Sequence, residues 1–295
     1  MLESLNGRAV IVTGAGRGLG RAMTLGLLAA GAGVTAVDVD AQALEDMSRA
    51  AHSNGAGDRL LVVTADITRD DIALQIVRQT LHRFGQLDVL VNNAGTTSRL
   101  LRDDSGPKPP KFWEVLPADF RRVIDVNVVA PFLLMRAALE PMLARHWGRI
   151  VNVTTSLDTM WRGNIQPYGG SKAANEAHLL AMSLELEGTG VTANVLIPGG
   201  PADTRMIVTA PHVERSTLIS PDVMVPPLIW LASPESDGIT GQRFIAAHWD
   251  RTIPKIEAAK KAGAPAAWQQ LGKQSIHPDN TPRYSPAREP MSKGR

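Results

Sequence analysis

The chain has 295 residues, 44% of them hydrophobic, enough to bury a sizeable core in one domain. It has no cysteine, which excludes disulfides, thiolate nucleophiles and Cys-based metal sites. Charge is uneven: residues 251–295 carry nine Lys and Arg against three Asp and Glu, leaving 22 against 26 in residues 1–250, and a body without basic bias argues against nucleic acid as a partner.

The opening "MLESLNGRAV" has neither a basic n-region nor a long apolar h-region, and no run of 18 apolar residues occurs. A cytoplasmic protein with no membrane partner is expected. "RAVIVTG" (8–14) reads as a buried strand and "LGRAMTLGLLAAGA" (19–32) as a helix. Between them lies "TGAGRGLG", with glycines at 14, 18 and 20. Such glycines permit a tight turn and let a pyrophosphate approach the free N–H groups of a helix start. Strand "GVTAVDVD" follows, and Asp38 near its end is placed to accept hydrogen bonds from ribose hydroxyls and to repel a 2′-phosphate. Val39 supplies no cation for such a phosphate, whereas Arg17 could contact one.

Helix "AQALEDMSRAAHSNG", strand "RLLVVTAD", helix "DIALQIVRQTLHRFG" and strand "LDVLVNNAG" continue the alternation. A helix over about 117–145, strand "GRIVNVTT", a helix from Tyr168, strand "VTANVLIPGG", a last helix and strand "GQRFIAA" complete it. This β-α alternation predicts an α/β fold: a doubly wound parallel sheet with helices on both faces. The expected organisation is one domain, residues 1–250, with an extension at 251–295.

Tyr168 and Lys172 are four apart on a predicted helix and therefore share a face. An ammonium beside a phenol favours the phenolate and makes it a usable base near neutral pH. Gly169 and Gly170 between them are expected to clear space for a cofactor. The seven histidines show no metal-ligand spacing, so no metal site is expected.

The chain resembles the classical short-chain dehydrogenase/reductase family over about residues 5–245. The resemblance rests on "TGAGRGLG", Asp66, "NNAG" (92–95), Asn127 in "DVNVVAPF", Tyr168-x-x-x-Lys172 and "PGGPADT" (198–204), in that order. It implies a Rossmann-type fold and an NAD(P)-dependent oxidoreductase that interconverts a secondary alcohol and a ketone. The implied cofactor set is Gly14, Arg17, Gly18, Leu19, Gly20, Asp38, Asp66, Ile67, Asn93, Ala94, Gly95, Tyr168, Lys172, Pro198, Gly199 and Thr204. Asp38 and Val39 put NAD(H) ahead of NADP(H). The implied catalytic set is Tyr168 as acid/base, Lys172 on the nicotinamide ribose, Asn127 in a proton relay, and a hydroxyl on the substrate oxygen. The family's usual Ser is replaced, and Thr155 or Ser156 takes its place. A homotetramer or homodimer is also implied. A non-catalytic nucleotide-binding sensor or scaffold is the alternative class.

Met160, Trp161, Met206 and Trp113 are expected to give the substrate pocket an apolar wall, with Arg99, Arg102 and Arg162 as candidates for an acidic substrate. In the extension, "IPKIEAAKKAG" (253–263) reads as a helix and "AAWQQLG" (266–272) as a second short piece. Prolines at 278, 282, 286 and 290 preclude regular structure beyond. Residues 251–272 are expected to dock through Trp249, Ile256, Trp268 and Leu271. The alternative is a disordered basic tail.

Overall fold

The structure, a computed structural model, describes residues 4–101, 110–207 and 214–269. Five consecutive buried residues form β1 (Ala9–Thr13), and the same near-continuous burial marks β2 (Gly33–Asp38), β4 (Val89–Asn92), β5 (Gly148–Val153) and β6 (Val191–Ile197). Strands without a polar face must be covered on both sides. Side chains alternate accordingly: Val10 and Val12 enter one core cluster and Ile11 the other.

Helices α1 (Gly18–Ala29) and α2 (Ala41–Ser53) bury Met23, Leu27, Leu44 and Met47 in the first cluster. Helix α3 (Ile72–Phe84) buries Ile76 and Val77 in the second. With β3 (Leu60–Thr64) and β7 (Gln242–Ile245) the strand order is β3-β2-β1-β4-β5-β6-β7, all parallel. The chain therefore reverses its direction of travel between β1 and β4. The crevice at the carboxyl ends of those strands is where doubly wound sheets bind ligands.

Two elements differ from the sequence expectation. The helix expected over 117–145 is α4 (Pro117–Ile124) and α5 (Ala130–Ala144) joined by a π-helical turn at Asp125–Val129. Such single turns are frequent at functional sites, and this one contains Asn127. Beyond it lie the short α6 (Leu157–Trp161), α7 (Tyr168–Glu185) and α8 (Val225–Leu231).

The second difference is an eighth strand. Helix α9 (Lys255–Ala262) leads into β8 (Gly263–Pro265), which pairs antiparallel with β7. Three residues of Gly-Ala-Pro give no strand signal, and proline is tolerated there because the strand is an edge. A Cβ on Gly263 would stand 2.9 Å from the Phe244 ring, so glycine admits the close approach. The anchors also differ. Ile256 is 45% exposed, and α9 docks through Ala258, Ala259 and Ala262. Trp249 does anchor, its ring 5.5 Å from that of buried Trp230. Leu271 and the proline-rich stretch lie outside the described residues.

Candidate active site

The glycine turn sits at the carboxyl end of β1. Gly14 and Gly18 have φ of 64° and 49°, a region glycine enters without strain. A Cβ on Gly20 would come within 1.9 Å of the Gly14 carbonyl oxygen, so only glycine lets α1 start this close to the strand. The start of α1 has no side-chain cap and no acidic residue in its first turn. Its free N–H groups and positive dipole end are thus left for an anion, which fits the pyrophosphate of a dinucleotide. Leu19 turns its side chain onto the core, and Thr204 lies over the turn, 2.9 Å from where a Gly18 Cβ would be.

Asp38 holds the turn in shape: its carboxylate accepts from the Gly16 N–H at 2.9 Å and the Asp40 N–H at 3.1 Å. Arg17 is taken up by Asp40, with Nη2 at 2.8 Å and Nε at 3.2 Å from Oδ2. Asp40 was not among the expected site residues, although an Asp just before a helix is an N-cap signal. It caps α2 through the Ala43 N–H at 3.0 Å. The Ala43 and Arg17 hydrogen bonds keep its carboxyl below the ordinary range.

Asp66 follows β3, with Ile67 buried behind it. Burial works to raise the Asp66 carboxyl, and hydrogen bonds from Thr68 and Arg122 outweigh it, leaving the group below its usual value. Arg122, on α4, reaches Asp66 at 2.9 Å and Thr68 at 2.6 Å. Nothing in the sequence marked it. Asn93 spends its amide on the scaffold, donating to Thr13 O at 2.8 Å and Gly14 O at 3.2 Å, while the Asn93 and Ala94 N–H groups both meet Thr13 Oγ1 at 3.1 Å. Pro198 accepts from the Ala247 N–H at 3.1 Å, and Gly199, at φ 103°, turns the chain away from β6.

The chemistry-bearing groups converge on the first turns of α7. Lys172, 4% exposed, donates to Val153 O at 2.9 Å and lies 5.9 Å from the Tyr168 ring centroid. Burial lowers its pKa from 10.5 to about 8. Gly95 packs against this ammonium: a Cβ there would stand 3.2 Å from Nζ and 3.4 Å from Asn127 Oδ1. Asn127 is fully buried, accepts from Thr96 N at 2.9 Å and donates to Thr96 O and Ser171 Oγ, each at 2.9 Å.

The Thr155 side chain faces the Tyr168 hydroxyl. Burial pushes the phenol above its ordinary 10.0, and the interaction with Thr155 opposes this. The sequence expectation had the ammonium lowering it; in the chain itself desolvation wins. Ser156 begins α6 and its side chain makes no cap hydrogen bond. Of the two hydroxyls, the structure brings Thr155 to Tyr168.

Of the two glycines after Tyr168, Gly169 serves packing. A Cβ on Gly169 would meet the Met160 and Thr159 carbonyl oxygens at 2.5 and 2.7 Å, so Gly169 lets α6 lie on α7; Gly170 is exposed. On the same buried face stand Asn175 and Glu176, seven and eight residues after Tyr168. Neither was singled out from the sequence, although helical spacing puts both on the Tyr168 face. Asn175 continues a buried amide chain: Asn92 donates to Asn152 at 2.9 Å, Asn152 to Asn175 at 2.7 Å, and Asn175 to Asn127 O at 2.8 Å. Each link contributes about 1 kcal/mol net, but breaking one strands a buried polar group at about 1–3 kcal/mol.

The short chain dehydrogenase model matches residues 8–214. The chain belongs to the short-chain dehydrogenase family. Among curated relatives, the fluoren-9-ol dehydrogenase of Terrabacter sp. is 31% identical over 297 residues, covering 95% of this chain and 79% of its own. A Beutenbergia cavernae protein crystallised with NADP at low occupancy is 30% identical with a TM-score of 0.71, covering 82% of this chain and 96% of that one. The 3-ketoacyl-(acyl-carrier-protein) reductase of Brucella melitensis, complexed with NADH, is 27% identical with a TM-score of 0.69, covering 80% and 95%. This short-chain dehydrogenase is an NAD(P)-dependent oxidoreductase acting on alcohol or ketone groups. Neither the site nor the relatives support the non-catalytic alternative. No described helix is long and apolar enough to cross a membrane, and no metal-binding cluster occurs among the described residues.

Proposed function

We propose that the protein interconverts a secondary alcohol and a ketone with NAD(H) as the preferred cofactor, and that Tyr168 moves the proton. The observation that carries the proton assignment is Tyr168 one helical turn ahead of Lys172, whose buried ammonium lies 5.9 Å from the Tyr168 ring centroid. Residues 14–20, 38, 66–67, 93–95 and 198–204 would hold the dinucleotide, whose nicotinamide would supply the hydride acceptor for the alcohol carbon or the hydride donor for the ketone.

In the oxidation direction the Tyr168 oxygen takes the proton leaving the substrate hydroxyl. The Thr155 hydroxyl donates to the substrate oxygen and opposes its drift. Lys172 holds the nicotinamide ribose, and its charge, with that of the oxidised ring, offsets the burial that raises the phenol. Asn127 fixes the strand of polar atoms around Lys172 through which the proton leaves. NAD(H) preference is supported by Asp38 at the ribose position and by Asp40, which engages the one basic residue of the turn, Arg17.

An apolar, cyclic alcohol is the substrate class best supported. Helix α6 carries Met160 and Trp161 five and six residues after Thr155, the first buried and the second exposed, and the relative that spans 95% of the chain is named for fluoren-9-ol. Arg162 is paired with Asp158, which speaks against its use on an acidic substrate; Arg102 lies outside the described residues. The same reading takes residues 1–250 as the catalytic unit of a cytoplasmic homo-oligomer, a tetramer or dimer. Exposed Phe120, Val129, Phe132 and Leu143 along α4 and α5 support self-association.

A panel of secondary alcohols and ketones, fluoren-9-ol included, tests this with both cofactors by the absorbance of reduced nicotinamide. Higher kcat/KM with NAD is expected on apolar cyclic members. Preference for NADP overturns the cofactor assignment, and turnover confined to acidic substrates overturns the substrate class.

A further inference from the structure

Glu176 and Arg243 form an ion pair inside the protein, at 0% and 5% exposure, that nothing in the scheme above uses. Glu176 Oε1 accepts from Arg243 Nε at 3.0 Å and from the Ala267 N–H at 2.9 Å, and Oε2 accepts from Thr154 Oγ1 at 2.9 Å. Arg243 sends Nη2 to the carbonyl oxygen of Thr155 at 2.8 Å. A buried pair of this kind adds little net stability over an apolar pair of equal volume, so stability alone is a weak account of it.

Its surroundings give a better one. Val153, Thr154 and Thr155 run in succession off the end of β5, and each is tied by a different residue, two on α7 and one on β7. Lys172 holds the Val153 carbonyl, Glu176 the Thr154 hydroxyl and Arg243 the Thr155 carbonyl. Successive side chains on an extended chain point opposite ways. With Thr154 directed to Glu176, Thr155 is directed to Tyr168. Residues on α7 and β7 therefore set where the Thr155 hydroxyl stands.

The C-terminal segment is the last part of the arrangement. Strand β8 runs along β7 opposite Arg243, and the Ala266 N–H bonds Gly241 O at 2.9 Å. Ala267 then takes a left-handed φ of 51°, which turns its N–H onto Glu176.

We propose that Glu176 and Arg243 are positioning residues that hold the Thr155 hydroxyl against Tyr168, and that the turn at Ala266–Ala267 completes the clamp. This rests on the reading of Thr155 as the hydroxyl on the substrate oxygen. It gives the C-terminal extension a role in the reaction as well as in the fold.

The test compares Thr155→Val, Glu176→Gln, Arg243→Met and Ala267→Pro in the full chain, with circular dichroism to confirm folding. Glu176→Gln keeps the volume and one acceptor oxygen, so it carries the test if Arg243→Met, which strands a buried carboxylate, fails to fold. Ala267→Pro removes the donor N–H and, with φ fixed at about −65°, the left-handed turn that presents it. The expected result is a kcat lower by about 10- to 100-fold in Glu176→Gln, the scale of a misplacement near 1 Å, with the cofactor Kd unchanged. Ala267→Pro moves kcat the same way. Adding Glu176→Gln to Thr155→Val costs no further kcat, because both act through one hydroxyl. Wild-type kcat in folded Glu176→Gln beside an inactive Thr155→Val overturns the clamp and leaves the catalytic reading intact. Additive losses in the double variant also overturn the clamp. Near-normal turnover by Thr155→Val removes the catalytic reading itself, and the clamp with it.

Discussion

Gly20→Ala sets helix propensity against steric necessity. Alanine inside a helix is favoured over glycine by about 1 kcal/mol, so propensity alone makes the variant more stable. The contacts oppose this. The new methyl would lie 1.9 Å from Gly14 O and 2.5 Å from Asn93 Nδ2, where Cβ atoms keep at least 3.0 Å. The strand end or the helix must yield by about 1 Å, and the first obstacle is backbone, which has no rotamer to change. Overpacking of this kind costs about 1–3 kcal/mol, and rigid backbone puts it at the upper end. The net is a loss of about 1–2 kcal/mol, a drop in Tm of roughly 2–8 °C. The displaced atoms are those of the phosphate turn, so the NADH Kd rises by about tenfold or more, equivalent to about 1.4 kcal/mol. Thermal denaturation and NADH fluorescence titration read both effects. Gly170→Ala is the counterpart: its methyl meets only the end of the flexible Gln166 side chain, at 3.0 Å, and the variant gains about 0.5–1 kcal/mol. A Gly20→Ala protein that melts no lower than the wild type and binds NADH equally well would refute the reasoning.

Asp40→Ala frees Arg17 for a 2′-phosphate. The NADP-to-NAD ratio of kcat/KM should rise by about tenfold, while loss of the α2 cap costs about 1 kcal/mol; an unchanged ratio removes Arg17 from cofactor choice. Lys172 has a folded pKa of about 8 against its ordinary 10.5. The unfolded chain therefore binds more protons between those values, and this group makes stability rise with pH across that window. Denaturant titrations at several pH values should show the rise in the wild type and a flatter profile in Lys172→Met. The same slope in both proteins contradicts the burial argument.

The sheet was legible because its strands are short, β-branched and bounded by glycine, and because helices of ordinary length separate them. Strand β8 was not, since Gly263, Ala264 and Pro265 are poor strand formers that pair only because Phe244 and Gly241 offer an edge. The π-turn at Asp125–Val129 leaves no mark on apolar periodicity over five residues. Tyr168, Lys172 and Asn127 were legible from motif order, and the structure assembles them. Asn175 and Glu176 could have been found as polar residues on the buried face of α7. Arg243 could not, because an arginine in a strand signals an edge or solvent face until Glu176 is placed opposite it. Gly169 was misread for a different reason: its neighbours, the Met160 and Thr159 carbonyls, lie only nine and ten residues earlier, in the short helix α6 that the sequence reading did not include.

The kinetics of Tyr168→Phe test the central claim most directly, because the substitution removes one oxygen and leaves the ring in place. The account predicts that kcat falls by roughly 10²–10⁴ while the NADH Kd is unchanged, since the phenol moves the proton and does not hold the cofactor phosphates. Near-normal turnover in a folded Tyr168→Phe protein would contradict it.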